Sequence, residues 1–494
     1  MHKRYIGDKA FYKRVMAIVV PIIIQNGITN FVSLLDNIMV GQVGTLPMSG
    51  VSIVNQLLFV FNLCIFGATA GAGIFTAQFQ GSGDTNGIRH TFRFKFLICL
   101  GLTAVGITLF LAADTPLISL FLTGDGNPED AAAILEYGRA YLRMMLIGLL
   151  PFALTNAYAG TLKETGETVV PMLGGIAATA VNLVLNYVFI FGNFGAPEMG
   201  VVGAALATVI SRFVELFIVA GWTHLHKERN AFIVGAYRSM AIPSGLLRNI
   251  IVKGMPLLAN ELLWSTGMTF LTQCYSTCGL DVVPAVNIST TLFNLTGVVF
   301  MSMGTANGIL MGQMLGSSAP ENEVRDYCRK LIALSVASGL VFGLLTIALS
   351  GAFPHLYNTS AEVRALAGQL IVVSALFMVF DAFANATYFI LRSGGQTYIT
   401  FLFDCGFVWV VMVPLAYVLS RFVHMDILPL YFLCQSTNML KALLGYTFLR
   451  QGKWIQNLAL EKRCRQQPRA LGRDAPHSAA ALITCPLGEA VPPF

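Results

Sequence analysis

Apolar runs long enough to cross a bilayer recur along almost the whole chain, separated by short polar turns. Their approximate limits are 15–39, 51–79, 93–113, 134–159, 169–192 and 200–222, then 252–277, 283–312, 331–352, 366–391, 399–421 and 427–449. A helical span needs about 20 such residues. Hydrocarbon leaves no water to satisfy an open backbone, so a span is a helix or a strand of a closed barrel. The ten-residue alternating strands of a barrel are absent. The pattern predicts an all-α polytopic membrane protein of about twelve transmembrane helices.

The halves of this pattern repeat. At an offset of 235, Pro21 meets Pro256, Gly73 meets Gly308, Gln78 meets Gln313 and Gly81 meets Gly316. Further on the offset becomes 229 and pairs Asn156 with Asn385, Gly166 with Gly395 and Thr168 with Thr397. Six spans per unit, an even number, give both units one orientation, as in parallel-repeat transporters. The predicted organisation is an N-terminal lobe over 1–222, a linker over 223–251, a C-terminal lobe over 252–455 and a flexible tail over 456–494. The tail is rich in Arg, Pro and Ala and has no apolar run of span length.

Charge sets the orientation. Lys3, Arg4, Lys9, Lys13 and Arg14 precede the first span; Arg89, Arg93 and Lys95 follow the second. Lys227, Arg229, Arg238, Arg248 and Lys253 lie between the sixth and seventh, and Arg325, Arg329 and Lys330 follow the eighth. The alternate turns carry Asp114, Asp125, Glu129, Asp130 and Glu198 instead. Positive-inside logic puts both termini in the cytoplasm of a multi-pass plasma-membrane protein. The basic N-terminus lacks a small-residue cleavage site, which predicts a retained first span.

Composition agrees: 55% of residues are hydrophobic and 11% charged, with a mean hydropathy of +0.68. Nine cysteines form no CxxC pair. Cys274 and Cys278 are read as small packing residues on one helix face. His224-x-His226 has no acidic or cysteine partner nearby and is weak as a metal motif. The glycine-rich "GATAGAGIFTAQFQG" lacks the Lys-Ser/Thr of a phosphate loop and reads as a surface for close helix approach. The histidines lie at termini, loops or span ends, and HExxH and GxSxG are absent, which argues against an enzyme. No nucleic-acid partner is expected; the chain is expected to act as a monomer in the bilayer, with no cofactor beyond a coupling ion.

Ionised groups at mid-membrane cost several kcal/mol, so each needs a reason. Arg212 and Glu215 are three apart and are expected to neutralise each other. Lys441 and Asp404 lie nearer span ends and are expected to reach the interface or each other. Asp36, Glu261 and Asp381 have no local partner. Packing with a retained proton is one reading; exchange of a proton, a Na⁺ or a cationic substrate is the other. Asn182 and Asn186, four apart on one face, are positioned to join Asp36 around a Na⁺, to hold a protonated carboxyl, or simply to bond across helices. In the repeat, Gln25-Asn26 falls opposite Asn260-Glu261, so one locus is polar in both halves.

Several stretches carry a family resemblance: "DNIMVGQVG", "QFQGSGD", "LKETGET" and "NLVLNYVFIFGNFGAPEMGVVGAALATVISR". Over residues 10 to 455 the chain resembles the multidrug and toxic compound extrusion (MATE) transporters, in the wider group that includes lipid-linked oligosaccharide flippases. The resemblance implies two six-helix lobes forming a V and efflux driven by inward Na⁺ or H⁺. By position, Asp36 matches the family's first-helix acid, Asn182 and Asn186 its fifth-helix polar pair, and Thr208 a further ligand. Glu261 matches a seventh-helix acid and Asp381 a tenth-helix acid. Some branches have a second acid where this chain has Asn186, which cannot titrate; acids in both lobes resemble the branch with a second-lobe cation site.

The expected function is a Na⁺- or H⁺-coupled antiporter exporting amphipathic organic cations. Asp36, Asn182, Asn186, Thr208, Glu261 and Asp381 are the coupling candidates, with Na⁺ at Asp36/Asn182/Asn186 or at Glu261/Asp381. Substrate contacts are expected from Asp36, Glu261, Asp381, Gln25, Asn26 and Asn260. The alternative, a flippase for a lipid-linked oligosaccharide or another lipid, calls for cavity cations to hold phosphate. Mid-span cations are few here, chiefly Arg212 and Lys441.

Overall fold

In the computed structural model, residues 5–122, 128–279 and 281–460 are described. Lys3, Arg4, Asp125 and the tail from 461 onward lie outside them. The first half comprises α1 (Lys9–Gly41), α2 (Thr45–Ser82), α3 (Thr85–Ala112), the short α4 (Asp114–Ser119), α5 (Pro128–Ile147), α6 (Leu149–Thr165), α7 (Val169–Phe191) and α8 (Gly200–Leu225). The second comprises α9 (Ser244–Ser276), α10 (Val282–Gly316), α11 (Glu321–Leu349), α12 (Ala361–Ser393), α13 (Thr397–Phe401), α14 (Val413–Arg421) and α15 (Ile427–Gln451). No strand occurs among the described residues.

Nine helical segments are long and apolar enough to cross a membrane, or ten when α5 and α6, bent by 45°, count as one span. Two more long helices, α9 and α15, fall short of that hydropathy. Glu261 lies on one and Lys441 on the other. Together they complete the twelve elements the sequence predicts.

Two details of the helices escape a hydropathy reading. The fourth span breaks at Gly148, between α5 and α6. The eleventh widens into π-helical turns at 402–406 and 408–412 between α13 and α14. Such turns cluster at functional sites because they displace backbone groups from the regular ladder.

The repeat is visible in the backbone. Pro21 and Pro256 each lie inside the first helix of their half. Each removes one ladder hydrogen bond there. Gly166 and Gly395 both adopt positive φ, at 99° and 76°, where the chain turns out of the fourth helix of its half. That conformation is nearly cost-free only for glycine.

The first helix of each half straddles the interface. The start of α1 (Phe11, Val15, Ile18, Ile22) packs with Met303, Ala306 and Leu310 of α10. Val40 near its end joins the first-half core. In mirror fashion, Ile250 and Leu257 of α9 pack with Ala72 and Phe75 of α2, whereas Leu271 joins the second-half core. The halves therefore interlock at the end that bears the N-terminus, called here the basic end. Toward the far end each half closes its own core.

At the basic end, Gln78 is fully buried. Its amide donates to the Ser393 carbonyl at 2.8 Å and the Gln456 carbonyl at 3.1 Å, and accepts from the Leu458 N–H at 2.7 Å. Its repeat partner Gln313 donates to the Glu164 carbonyl at 3.0 Å and accepts from Arg14 at 3.1 Å. Residues 452–460 thus belong to the folded body, with Trp454 1% exposed. The expected start of the flexible tail at 456 is at least five residues too early.

Other expectations are also corrected. The stretch between α8 and α9 is 226–243, shorter than the expected linker, and it is docked. Arg93 donates to the carbonyls of Ala236, Gly235 and Ala241 at 2.7, 3.0 and 3.2 Å, and Arg89 to that of Phe232 at 3.2 Å. Lys95, expected in a basic turn, is 1% exposed and pairs with Glu164 and Thr161. Arg212 and Glu215 form no ion pair: Arg212 donates to the Gly148 carbonyl at 3.2 Å and lies 5.0 Å from the Phe152 ring centroid. The break at Gly148, three residues before Pro151, supplies that carbonyl. Helix α9 ends at Ser276, so Cys278 sits in the following turn, donating to the Met425 carbonyl at 3.6 Å.

Candidate functional site

In the first half, α1, α7 and α8 bring Asp36, Asn182, Asn186 and Thr208 together. The two asparagines share a face because they are four apart on a helix. Both are buried, at 6% and 2% exposure. The Asn186 amide nitrogen donates to Asp36 Oδ1 at 2.6 Å and to Asn182 Oδ1 at 3.2 Å.

The Asn182 amide fits this cluster in two orientations. In one, its nitrogen donates to Thr208 Oγ1 at 3.2 Å, and its oxygen faces the Asp36 carboxyl. In the other, its nitrogen donates to both Asp36 oxygens at 3.0 Å, and its oxygen accepts from Thr208 at 3.2 Å. Only the second suits a bare carboxylate, since the first opposes oxygen to oxygen. The Asn186 Oδ1 atom is buried without a hydrogen-bond partner. Buried acceptors of that kind are uncommon and call for a reason.

Hard cations take oxygen ligands. The carboxylate oxygens of Asp36 are of that kind; Asn186 presents its nitrogen to them, and Asn182 does so in its second orientation, so their amide oxygens join a cation site only when those side chains turn. Among the described residues no three or more His, Cys, Asp or Glu side chains converge in a way that would hold a metal. His224 accordingly bonds Tyr158, and His226 stacks on Trp222.

The second half builds a different cluster. Asn260 of α9 donates to Asp404 Oδ2 at 3.0 Å and accepts from the Cys405 backbone N–H at 3.2 Å, inside the π-helical turn. Lys441 of α15 donates to Asp404 Oδ1 at 2.7 Å and lies 5.4 Å from the Phe403 ring centroid. Of the two fates expected for Lys441 and Asp404, the structure shows mutual pairing.

Glu261 and Asp381 flank this pair without hydrogen bonds of their own among the described residues. Arg392 and Asp404 act electrostatically on Glu261, and Lys441 on Asp381. The structure does not bring these two acids to Asp36. Of the expected substrate contacts, Asn260 is 3% exposed with both ends of its amide engaged, so it orients Asp404 instead of facing a ligand. Asn26 donates across the lobes to Ser302 at 3.0 Å. Gln25 packs against α7 at Gly175 with its oxygen buried and unbonded.

Sequence reasoning missed Arg392, Tyr388 and Ser302 at these sites. Their only signal was a polar side chain in an apolar helix, which many structural residues share.

The sequence profile of the MatE family matches this chain twice, over residues 21–188 and 256–418. The two matches begin at the paired prolines of α1 and α9. The chain belongs to the MatE family.

As a MatE protein it has distant relatives along nearly its full length. It is 23% identical over 452 residues to a probable multidrug resistance protein NorM of Thermotoga maritima, covering 91% of this chain and 94% of the relative. It is 24% identical over 411 residues to the multidrug resistance protein MdtK of Edwardsiella ictaluri, covering 83% and 87%. Its fold matches the outward-facing conformation of a multidrug resistance MATE family transporter of the MOP superfamily with a TM-score of 0.81. That match has 20% identity and covers 93% of this chain and 98% of the other. The bent form of the Vibrio cholerae MATE transporter VcmN matches with a TM-score of 0.79, at 18% identity over 91% and 98% of the chains. At these identities the structures establish the shared two-lobed fold.

Proposed function

We propose that this MatE protein is a cation-coupled antiporter that exports amphipathic organic cations by rocking its two lobes. Its basic end faces the cytoplasm, and Asp36 is the exchange site. The observation that carries this reading is the Asp36 carboxyl enclosed by Asn186, whose amide nitrogen donates to it at 2.6 Å, and by Asn182, set 3.0 Å from both its oxygens. Amide nitrogens donating to Asp36 suit the bare carboxylate, and a proton or Na⁺ arriving there would compete with them. Loading of Asp36 is thereby tied to the hydrogen bonds linking α1, α7 and α8. A group that reorganises its helix contacts when it loads is what alternating access requires. The names of the NorM and MdtK relatives support multidrug efflux as the role.

Glu261 and Asp381 serve in this reading as second-lobe acids for the cation or the substrate. The flippase alternative needs free cavity cations, and both mid-span candidates are engaged: Arg212 with the Gly148 carbonyl and Phe152, Lys441 with Asp404.

The test uses proteoliposomes with imposed Na⁺ or H⁺ gradients and a panel of cationic dyes. Wild-type protein should move dye against one of the gradients. Asp36→Asn should reduce that movement to leak while the protein still folds. Gradient-driven efflux at the wild-type rate in Asp36→Asn removes the exchange role.

A further inference from the structure

We infer that the outer face of the second half carries a binding site for an anionic phospholipid, built from residues other than the candidate transport residues. Two cavities at the far end share one wall of α12. The first, of about 440 Å³, lies between the end of α11 and the start of α12, and Arg364 and His355 line it. The second, of about 680 Å³, lies between α12 and the start of α15 and is almost wholly apolar, with Val373, Phe432 and Leu433 in its lining. Gln369 and Val372 border both.

Arg364 and Val372 are eight residues apart on one helix face, about 12 Å along the axis. A chamber bearing Arg364 and His355 thus adjoins a greasy groove over the depth that separates a lipid headgroup from the first part of its acyl chains. The floor of that chamber is small: Gly351, Ala361, Ala365 and Gly368 leave the room.

Arg364 supplies the charge. Its Nε is buried and has no acceptor, and no ion pair or side-chain hydrogen bond engages its guanidinium among the described residues. A buried donor without a partner is costly, and a guanidinium matches a phosphate better than any other side chain does. Glu362, two positions away, lies off that face of the helix and is exposed. The charge and the groove select the same occupant: a phosphodiester headgroup at Arg364 and an acyl chain along Val372, Phe432 and Leu433. In the proposed orientation this is the outer leaflet. The occupied groove would back directly onto the α12–α15 contact where Ser374 and Tyr431 share a 2.8 Å hydrogen bond.

The test is native mass spectrometry of the full chain titrated with phosphatidylglycerol or with diacylglycerol of equal chain length, which has no phosphate. Wild-type protein should retain phosphatidylglycerol at least about tenfold better, the scale of one charge-assisted hydrogen bond. Arg364→Gln should remove that preference while keeping the wild-type thermal midpoint. Val372→Trp, which fills the groove, should weaken retention of both lipids. An undiminished preference in Arg364→Gln overturns the site. So does wild-type binding of glycerophosphoglycerol, which has no acyl chain, as tight as that of the intact lipid.

Discussion

Closure at the basic end depends on two glycines that the repeat makes equivalent, Gly81 and Gly316. A Cβ on Gly316 would overlap the backbone carbonyl of Gln78, and one on Gly81 would overlap that of Gln313. Backbone cannot rotate away as a side chain can, so Gly316→Ala must push α2 and α10 apart. Overpacking of this kind costs about 1–3 kcal/mol. The cost falls only on the state in which the basic ends touch, so it becomes a shift of about 5- to 150-fold toward the state in which they part. The double variant Gly81→Ala/Gly316→Ala strains both symmetric contacts and should shift further. The assay is a spin-label distance between α2 and α10 at the basic end in nanodiscs. A short distance should dominate in the wild type and a longer one should grow in the order single, double. Gly101→Ala, whose Cβ would meet nothing within 4 Å, is the control and should leave the distribution alone. Identical distributions in wild-type and double-variant protein would show that the basic-end contact does not govern the equilibrium.

Three other outcomes follow from the packing. Lys441→Met strands Asp404, and the Lys441 and Asp404 side chains are only 14% and 20% exposed; the loss should be about 2–3 kcal/mol, below the 3–5 of a fully buried pair because Asn260 remains. Chemical denaturation should show it, with Asp404→Asn/Lys441→Met recovering most of the loss; equal losses in single and double variants would refute the pairing argument. Trp454→Ala removes a side chain that is 1% exposed and should cost about 3–5 kcal/mol, read as a lower thermal midpoint. Arg93→Ala frees three backbone carbonyls of the interlobe segment, and limited proteolysis should then cut within 226–243 several-fold faster than in wild type.

Spans, repeat and the Asp36 cluster were legible because each leaves a local mark. A span is a run of apolar residues, the repeat is a fixed offset, and Asn182 and Asn186 are one helical turn apart. What could not be read depends on where distant backbone lies. Arg212 finds the Gly148 carbonyl because the fourth span breaks there, just before Pro151, and neither residue says which side chain will reach the freed carbonyl. Lys95 looks like any basic turn residue until α6 brings Glu164 against it. Asn260 looks like a cavity residue until the π-helical turn offers it the Cys405 N–H. The segment 452–460 looks like the start of a tail because its anchor, Gln78, is more than 370 residues away.

The superposed halves explain why their charges differ. At the offset of 229, Arg212 falls opposite Lys441, Phe152 opposite Asp381 and Gly175 opposite Asp404; at 235, Gln25 falls opposite Asn260. One mid-membrane cation therefore recurs in the last helix of each half, but its surroundings do not. In the first half it lies over the Phe152 ring, and Gln25 meets the bare backbone at Gly175. In the second half the ring has become Asp381 and the glycine has become Asp404, which Lys441 neutralises. The reverse holds at the exchange site. Opposite Asp36 stands Leu271, packed in the second-half core, and opposite Asn182 and Asn186 stand Val411 and Leu415. Each half thus keeps one acidic locus where the other is apolar or neutral. In the second half a tethered lysine already occupies part of that locus. At Asp36 no such cation is within ion-pair reach among the described residues, and the amides of Asn182 and Asn186 stand around it instead, which is why the proposed cycle is assigned its exchangeable cation in the first half.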